Sequence, residues 1–324
     1  MPRALVCGAG GFIGNHLVSD LRNRGYYVIG ADHNLPSFGE SAANEFYQCD
    51  LTDQVQCRRV FSANVDEIYQ LAADMGGAGY VFSGLNDADI MLNSAGININ
   101  ILQLAIKYQI PKIFYSSSAC MYPAHNQEST YSPLLSESSA YPAAPDSEYG
   151  WEKLFGERLY LSAARNYGID VRIARFHNVF GPYGTWCGGR EKAPAALCRK
   201  VAEAADGDTI EIWGPGTQTR SFLYIDECIE GIRRLMSSDY DQPINLGSGR
   251  MISINDLALL IAKLADKNIK IKNIDGPLGV MGRVSDNTLI QQVLGWQPPD
   301  NLEQGLIKTY QWIKQQIKSC DETQ

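Results

Sequence analysis

The sequence predicts an α/β protein built on a doubly wound parallel sheet, followed by a smaller second part. Three observations carry that reading: a glycine run between a short apolar strand and a helix, an alternation of strand-like and helix-like segments that continues to residue 176, and a change of texture after it. With 324 residues, 45% of them hydrophobic, the chain is long enough for one or two sizeable cores.

Residues 4–7 read as a buried strand, and Gly8-Ala9-Gly10-Gly11-Phe12-Ile13-Gly14 turns it into a helix that runs to about residue 24. The next strand covers 26–31 and ends at Asp32. In this β-α-β setting Gly8, Gly11 and Gly14 let backbone approach a pyrophosphate, and the helix start offers free N–H groups and a positive dipole end. Asp32 lies eighteen residues after Gly14, where a carboxylate accepts hydrogen bonds from the adenosine ribose. No Lys or Arg occurs over 25–57 to neutralise a 2′-phosphate, so the expected cofactor is NAD, not NADP.

A strand over 45–49 precedes Asp50, a helix follows near 54–61, and 65–71 is the fourth strand. Ile97, Ile101, Leu104, Ala105 and Tyr108 recur at helical spacing over 93–108, and Ile110-Pro111 stops that helix. A strand over 112–116, a long helix over 148–167 and a strand over 170–176 complete the alternation, which implies right-handed crossovers. Gly and Pro then spread through 177–190. Strands over 209–213 and 269–274 and helices over 226–236 and 254–264 are expected beyond it. A last amphipathic helix over 302–317 carries Leu306, Ile307, Tyr310, Ile313 and Ile317 on one side. The expected division is a cofactor-binding part over 1–178, to which 215–247 returns, and a substrate-binding part over 179–214 and 248–324.

Several classes are disfavoured. The net charge of −8 and the lack of a long basic cluster argue against nucleic acid. No apolar run reaches the roughly 20 residues of a membrane span, and no leader pattern opens the chain. Eight scattered Cys without a Cys-x-x-Cys pair read as reduced thiols in a cytoplasm, and the four His show no metal-ligand spacing, so no metal is expected.

The chemistry concentrates at Lys112-Ile113-Phe114-Tyr115-Ser116-Ser117-Ser118-Ala119-Cys120, a strand that ends in three hydroxyls and then a thiol. Tyr149 and Lys153, four apart on one helix, share a face. A phenol with a pKa near 10 is a poor base at neutral pH, and a neighbouring ammonium favours its phenolate. The competing reading of such a pair is a surface aromatic beside a solvated Lys.

Together, Gly8, Gly11, Gly14, Asp32, Ser118, Tyr149 and Lys153 resemble the extended short-chain dehydrogenase/reductase family, which acts on sugar nucleotides. Leu294-Gly295-Trp296-Gln297-Pro298 is similar to that family's C-terminal end, so the resemblance spans the chain. Within the family, the GDP-mannose 3,5-epimerase group is resembled most by three stretches: Leu71 to Gly77, Ser117 to Pro123, and above all Arg175 to Ala196. Gln218-Thr219-Arg220-Ser221-Phe222 and Gly282-Arg283-Val284-Ser285 extend the likeness.

That resemblance implies a homodimeric NAD enzyme working on a GDP-sugar, with GDP-L-galactose, and GDP-L-gulose as a second product, made from GDP-mannose. Tyr149, Lys153 and Ser118 are implied for transient oxidation at C4, Cys120 and Lys192 for proton exchange at C3 and C5, and Asp50 joins the cofactor set. Gly76, Ser118, Cys120, Asn178, Glu191, Lys192, Lys200, Gln218, Arg220 and Arg283 are implied as substrate contacts, the guanidinium groups suiting a diphosphate. An ion pair of Arg220 with Asp226 or Glu227 is the structural alternative. The nearest rival is a GDP-L-fucose synthase-like epimerase/reductase, against which stand Asp32 and Lys192 in place of that group's His. Another sugar-nucleotide 4-epimerase and a non-catalytic NAD-sensing scaffold are the remaining alternatives.

Overall fold

The computed structural model describes residues 1–61, 64–131 and 134–321. Six strands and five helices alternate through the first half: β1 (Arg3–Cys7), α1 (Phe12–Asn23), β2 (Tyr27–Asp32), β3 (Glu45–Gln48), α2 (Gln54–Val60), β4 (Glu67–Gln70), α3 (Ala78–Val81), α4 (Asp87–Lys107), β5 (Lys112–Ser118), α5 (Glu148–Tyr167) and β6 (Asp170–Phe176). They are followed by β7 (Val179–Phe180), α6 (Ala193–Glu203), β8 (Thr209–Trp213), β9 (Thr219–Ser221), β10 (Leu223–Tyr224), α7 (Ile225–Met236) and β11 (Ile244–Leu246). The chain closes with β12 (Met251–Ser253), α8 (Ile254–Leu264), β13 (Lys270–Ile274), β14 (Gly282–Arg283), α9 (Thr288–Leu294) and α10 (Leu302–Asp321).

The main sheet has seven parallel strands in the order β11-β6-β5-β4-β1-β2-β3, as the alternation requires. Strand order reverses between β1 and β4, so a crevice opens beyond the carboxyl ends of those strands. Both faces are covered, and the pleat divides the strand residues between two cores. Leu5, Cys7, Ile113 and Tyr115 pack with α2, α4 and α5 on one face. Ala4, Val6 and Phe114 face the other way, into a core that continues through Leu17 and Ile229 to Leu257, Leu306 and Ile313. Each fully buried side chain of this size contributes about 1.5–3 kcal/mol, and this shared core seats the second half of the chain against the sheet.

Three differences from the sequence reading bear on function. The helix expected from 93 starts at Asp87, because Asp87 and Asp89 suit the positive dipole end although the apolar stripe begins later. Strand β5 reaches Ser118, two residues past the expected end, since Ser117 and Ser118 stay in register with Arg175 and Phe176 of β6. On α10, Leu306, Tyr310 and Ile313 are buried but Ile307 is exposed. Residues 322–324, the end of the expected second part, lie outside the described residues. Among the described residues, no helix is long and apolar enough to cross a membrane.

Candidate active site

The turn from β1 into α1 is closed by atoms that leave no room for side chains. A Cβ on Gly14 would lie 1.9 Å from the Gly8 carbonyl oxygen, and one on Gly8, which has φ +85°, would lie 2.8 Å from the Ala72 nitrogen. Gly10, which the sequence reading passed over, is equally constrained, with Asn34 O only 2.0 Å from where its Cβ would be. Gly11 is different: it is the N-cap of α1, with no side-chain cap and only ordinary contacts. The α1 N-terminus therefore presents its first N–H groups unblocked by any capping side chain. Asp32 is buried at the end of β2, where its carboxylate accepts from Gly10 N and Asn34 N, both at 3.0 Å. That acid thus also holds the glycine turn. Asp50 is exposed just after β3 and accepts from Thr52 N at 2.8 Å. The glycine cradle and the acid beside it fit a dinucleotide.

Ser118, Tyr149 and Lys153 converge on the carboxyl end of β5. Helix α5 is capped by Ser147, which accepts from Gly150 N at 3.3 Å, and it lies so close to the Ala119–Met121 turn that a Cβ on Gly150 would be 2.2 Å from Cys120 O. Lys153 is almost fully buried, donates to Ser116 O at 3.1 Å, and has its Nζ 5.6 Å from the Tyr149 ring centre. Burial pushes the Tyr149 phenol up, helped by the charge of Cys120 and of Glu152; the Ser118 hydrogen bond and Arg283 pull the other way. Ser118 and Arg283 are thus groups that favour the phenolate in this structure. Burial also lowers the Lys153 ammonium, against support from Glu152, Cys120 and Glu157.

Cys120 sits on the turn that Ser118 caps through Cys120 N, at 3.2 Å. Its sulfur accepts from Arg283 NH1 at 3.0 Å. The same guanidinium donates through Nε to Gln127 Oε1 at 2.5 Å and through NH2 to Asp146 Oδ2 at 2.9 Å. Arg283 is 5% exposed and lies against the thiol. Gln127 and Asp146 were missed from sequence, where nothing links them to a residue more than a hundred positions away.

Lys192 caps α6 from the loop after β7; burial lowers its ammonium, and Cys120 and Cys228 are near enough to oppose this by charge. Arg220 donates to the carbonyls of Thr219, Leu278 and Val280 and has no ion pair with Asp226 or Glu227, contrary to the structural alternative. Burial, with Arg283 beside it, pushes Arg220 down to about 9. A guanidinium that has no carboxylate ion-pair partner among the described residues and faces a second guanidinium is suited to an anion.

The other candidates are more loosely connected. Gln218 is buried, donates to Trp213 O at 3.0 Å and leaves Oε1 without a partner. Asn178 donates to Ser221 O at 3.0 Å, and Lys200 to Glu211 O at 2.5 Å. Glu191 turns back on its own loop, accepting from Gly189 N at 2.6 Å and pairing with Arg199 at 3.4 Å. Gly76 packs on Tyr80, beside the Gly77 N to Arg190 O hydrogen bond of 3.0 Å that joins this loop to the one carrying Lys192. Among the described residues, no group of three or more His, Cys, Asp or Glu could hold a metal ion.

Comparison with known proteins gives the family. The model of the NAD dependent epimerase/dehydratase family matches residues 4–247. The chain is 46% identical to GDP-mannose 3,5-epimerase 1 of Oryza sativa subsp. indica over 98% of its length and 82% of that protein's. It is likewise 46% identical to GDP-mannose 3,5-epimerase of Arabidopsis thaliana, over 97% and 82%. UDP-glucuronic acid 4-epimerase from Bacillus cereus, solved in complex with UDP-glucuronic acid and NAD, superposes with a TM-score of 0.82 at 27% identity, covering 97% of this chain and 99% of that one. The chain belongs to the NAD dependent epimerase/dehydratase family, within the group of the GDP-mannose 3,5-epimerases.

Proposed function

We propose that this epimerase acts on GDP-mannose, inverting C5, or C3 and C5, to give GDP-L-galactose and, as a second product, GDP-L-gulose. The observation that carries the reading is the juxtaposition at the end of β5 of Tyr149 and Ser118 with a thiol, Cys120, that accepts a hydrogen bond from Arg283 at 3.0 Å. A sugar 4-epimerase has no need of a separate proton-transfer thiol; exchange of protons on neighbouring carbons does.

The Gly8–Gly14 turn, Asp32, Asp50, Tyr149 and Lys153 would hold NAD. When bound, NAD supplies a reversible hydride acceptor for C4. Tyr149 takes the C4 hydroxyl proton, with Ser118 hydrogen-bonded to the phenol and Lys153 behind it. A carbonyl at C4 acidifies the hydrogens on C3 and C5. Cys120 then removes a proton from one face and Lys192 returns one to the other, which inverts the carbon. Arg220, whose guanidinium suits the diphosphate, joins Gln218, Asn178, Lys200, Gly76 and Glu191 as the remaining substrate contacts. The lowered Lys192 ammonium is a better proton donor than an exposed one.

The cofactor part comprises 1–178 with 215–247, supported by the pairing of β11 with β6, and the remainder binds substrate. The functional unit is a homodimer formed through α4 and α5, whose Leu92, Ile99, Trp151 and Phe155 are exposed apolar side chains on otherwise packed helices. Light scattering at micromolar concentration tests this, and a monomer would remove it. The activity is tested by incubation with GDP-mannose and NAD⁺ in D₂O. Deuterium at C5, or at C3 and C5, is the expected result; its absence overturns the reading.

A further inference from the structure

The mechanism above leaves the buried carboxyl of Glu152 unused. Glu152 precedes Lys153 on α5 and is fully buried. Neighbours in a helix sequence do not normally share a face, yet Glu152 Oε2 lies 3.9 Å from Lys153 Nζ. The other oxygen, Oε1, accepts from Asn98 Nδ2 of α4 at 2.8 Å, whereas Oε2 has no hydrogen-bond partner at all. An isolated carboxyl in such a place is costly, so its retention calls for a compensating charge.

The polarity of this chain of groups is fixed from its far end. Ala72 N–H donates to Gln70 Oε1 at 3.2 Å, which turns the Gln70 amide nitrogen toward Asn98 Oδ1 at 2.9 Å. Tyr160 OH donates to the same Asn98 oxygen at 3.2 Å. The Asn98 amide therefore offers Glu152 only its NH₂ group, a bond that together with Lys153 opposes the burial that raises the Glu152 carboxyl. We propose that Glu152, oriented by Asn98, is the buried counter-ion of Lys153 and thereby a positioning residue for the Tyr149 chemistry.

The groups facing Lys153 are few. Its own helix supplies Glu152, Glu157 and Tyr149; β5 supplies the Tyr115 ring, 5.1 Å away, and the following turn supplies Cys120. Burial works to discharge the ammonium, and Glu152 is the foremost group opposing it. Glu152 also disfavours the Tyr149 phenolate. Its removal thus acts on catalysis in two opposite directions, and the ionisation of Lys153 itself is the cleaner readout.

The experiment is a pH titration of the Lys153 13Cε resonance in substrate-free, lysine-labelled protein, assigned through Lys153→Arg. In Glu152→Gln the midpoint moves down by about one pH unit or more, a tenfold loss of charged over neutral Lys153 at a given pH. Asn98→Ser keeps the carboxyl but removes its donor, and moves the midpoint the same way by less; it stands in if Glu152→Gln does not fold. An unmoved midpoint in the folded variant overturns the proposal. The catalytic meaning rests on the proposed role of Lys153, but the two fail separately. A moved midpoint without deuterium exchange in the unaltered protein removes the epimerase reading alone, and exchange with an unmoved midpoint removes only the Glu152 role.

Discussion

The two corners of this site are put together in different ways. Ser118, Tyr149 and Lys153 come from one strand end and one helix, and the Lys153 bond to Ser116 O locks that helix to that strand. The Cys120 corner is assembled from distant parts: Arg283 lies 163 positions from the thiol it touches, and 137 from Asp146. The first corner is fixed by helical spacing and sheet register, the second by charge-assisted hydrogen bonds between segments that meet only in the finished fold. Loss of the Tyr149 hydroxyl from the first therefore falls on chemistry alone, whereas loss of Arg283 from the second falls on chemistry and stability together.

Tyr149→Phe gives the largest effect. Removing the phenolic proton acceptor while leaving the ring should reduce turnover about 10,000-fold, with C4 oxidation and deuterium exchange falling together. Thermal unfolding should hardly move. Cys120→Ser separates the corners: exchange into C3 and C5 falls about 1,000-fold while a single turnover of C4 oxidation, followed as NADH absorbance, persists. If both steps fall equally in Cys120→Ser, the division between the corners is wrong.

Arg283→Met tests the stability side of the contrast. It leaves the Asp146 carboxylate buried without its ion partner, and breaking such a pair costs about 3 kcal/mol. Urea unfolding should show that loss together with reduced exchange, whereas Tyr149→Phe shows only lost activity.

The same contrast sorts what could be read from sequence. The strands of the main sheet follow from their apolar runs and flanking turns, except β11, whose three residues carry too little periodicity to stand out. Tyr149 and Lys153 are legible because a spacing of four is a statement about one helix. The Arg283 contact with Cys120 is not, because no local rule connects them. Glu152 was hidden for the opposite reason: it is adjacent to Lys153, and adjacency on a helix ordinarily means different faces. Arg220 shows the limit of pairing charges by proximity in sequence, since Asp226 bonds to Lys308 and Glu227 to Asn301 instead.

His177 is fully buried, with Nε2 3.0 Å from Asn245 Oδ1, an oxygen that also accepts from Tyr122 OH at 2.7 Å. Burial pushes this imidazole down to about 3. The unfolded chain binds a proton below about 6.5 that the folded chain refuses until about 3, so stability falls as pH falls through that window. From pH 7 to pH 5 the His177 contribution is a loss of about 2 kcal/mol. Glu137 and Glu227, raised by burial, act in the opposite sense, so the test is the difference between His177→Gln and the unaltered protein in urea unfolding at the two pH values. A common acid weakening of both corners would show that they rest on this one scaffold.

The smallest effect probes how Lys192 is held. Gly77 has φ −73°, a conformation any residue adopts, so its need is purely spatial: a Cβ would lie 2.3 Å from Glu191 O. Around it, Arg190 stacks 3.9 Å from the Tyr80 ring and approaches Asp74 at 3.7 Å, which fastens the loop that leads into Lys192. Gly77→Ala must push that loop aside while leaving β5 and α5 untouched. Deuterium exchange should slow about tenfold, the scale expected when a proton-transfer group is misplaced by a fraction of its reach, with single-turnover C4 oxidation unchanged. Slowing of both would mean that the two corners share this loop, and the boundary between them would have to be redrawn around it.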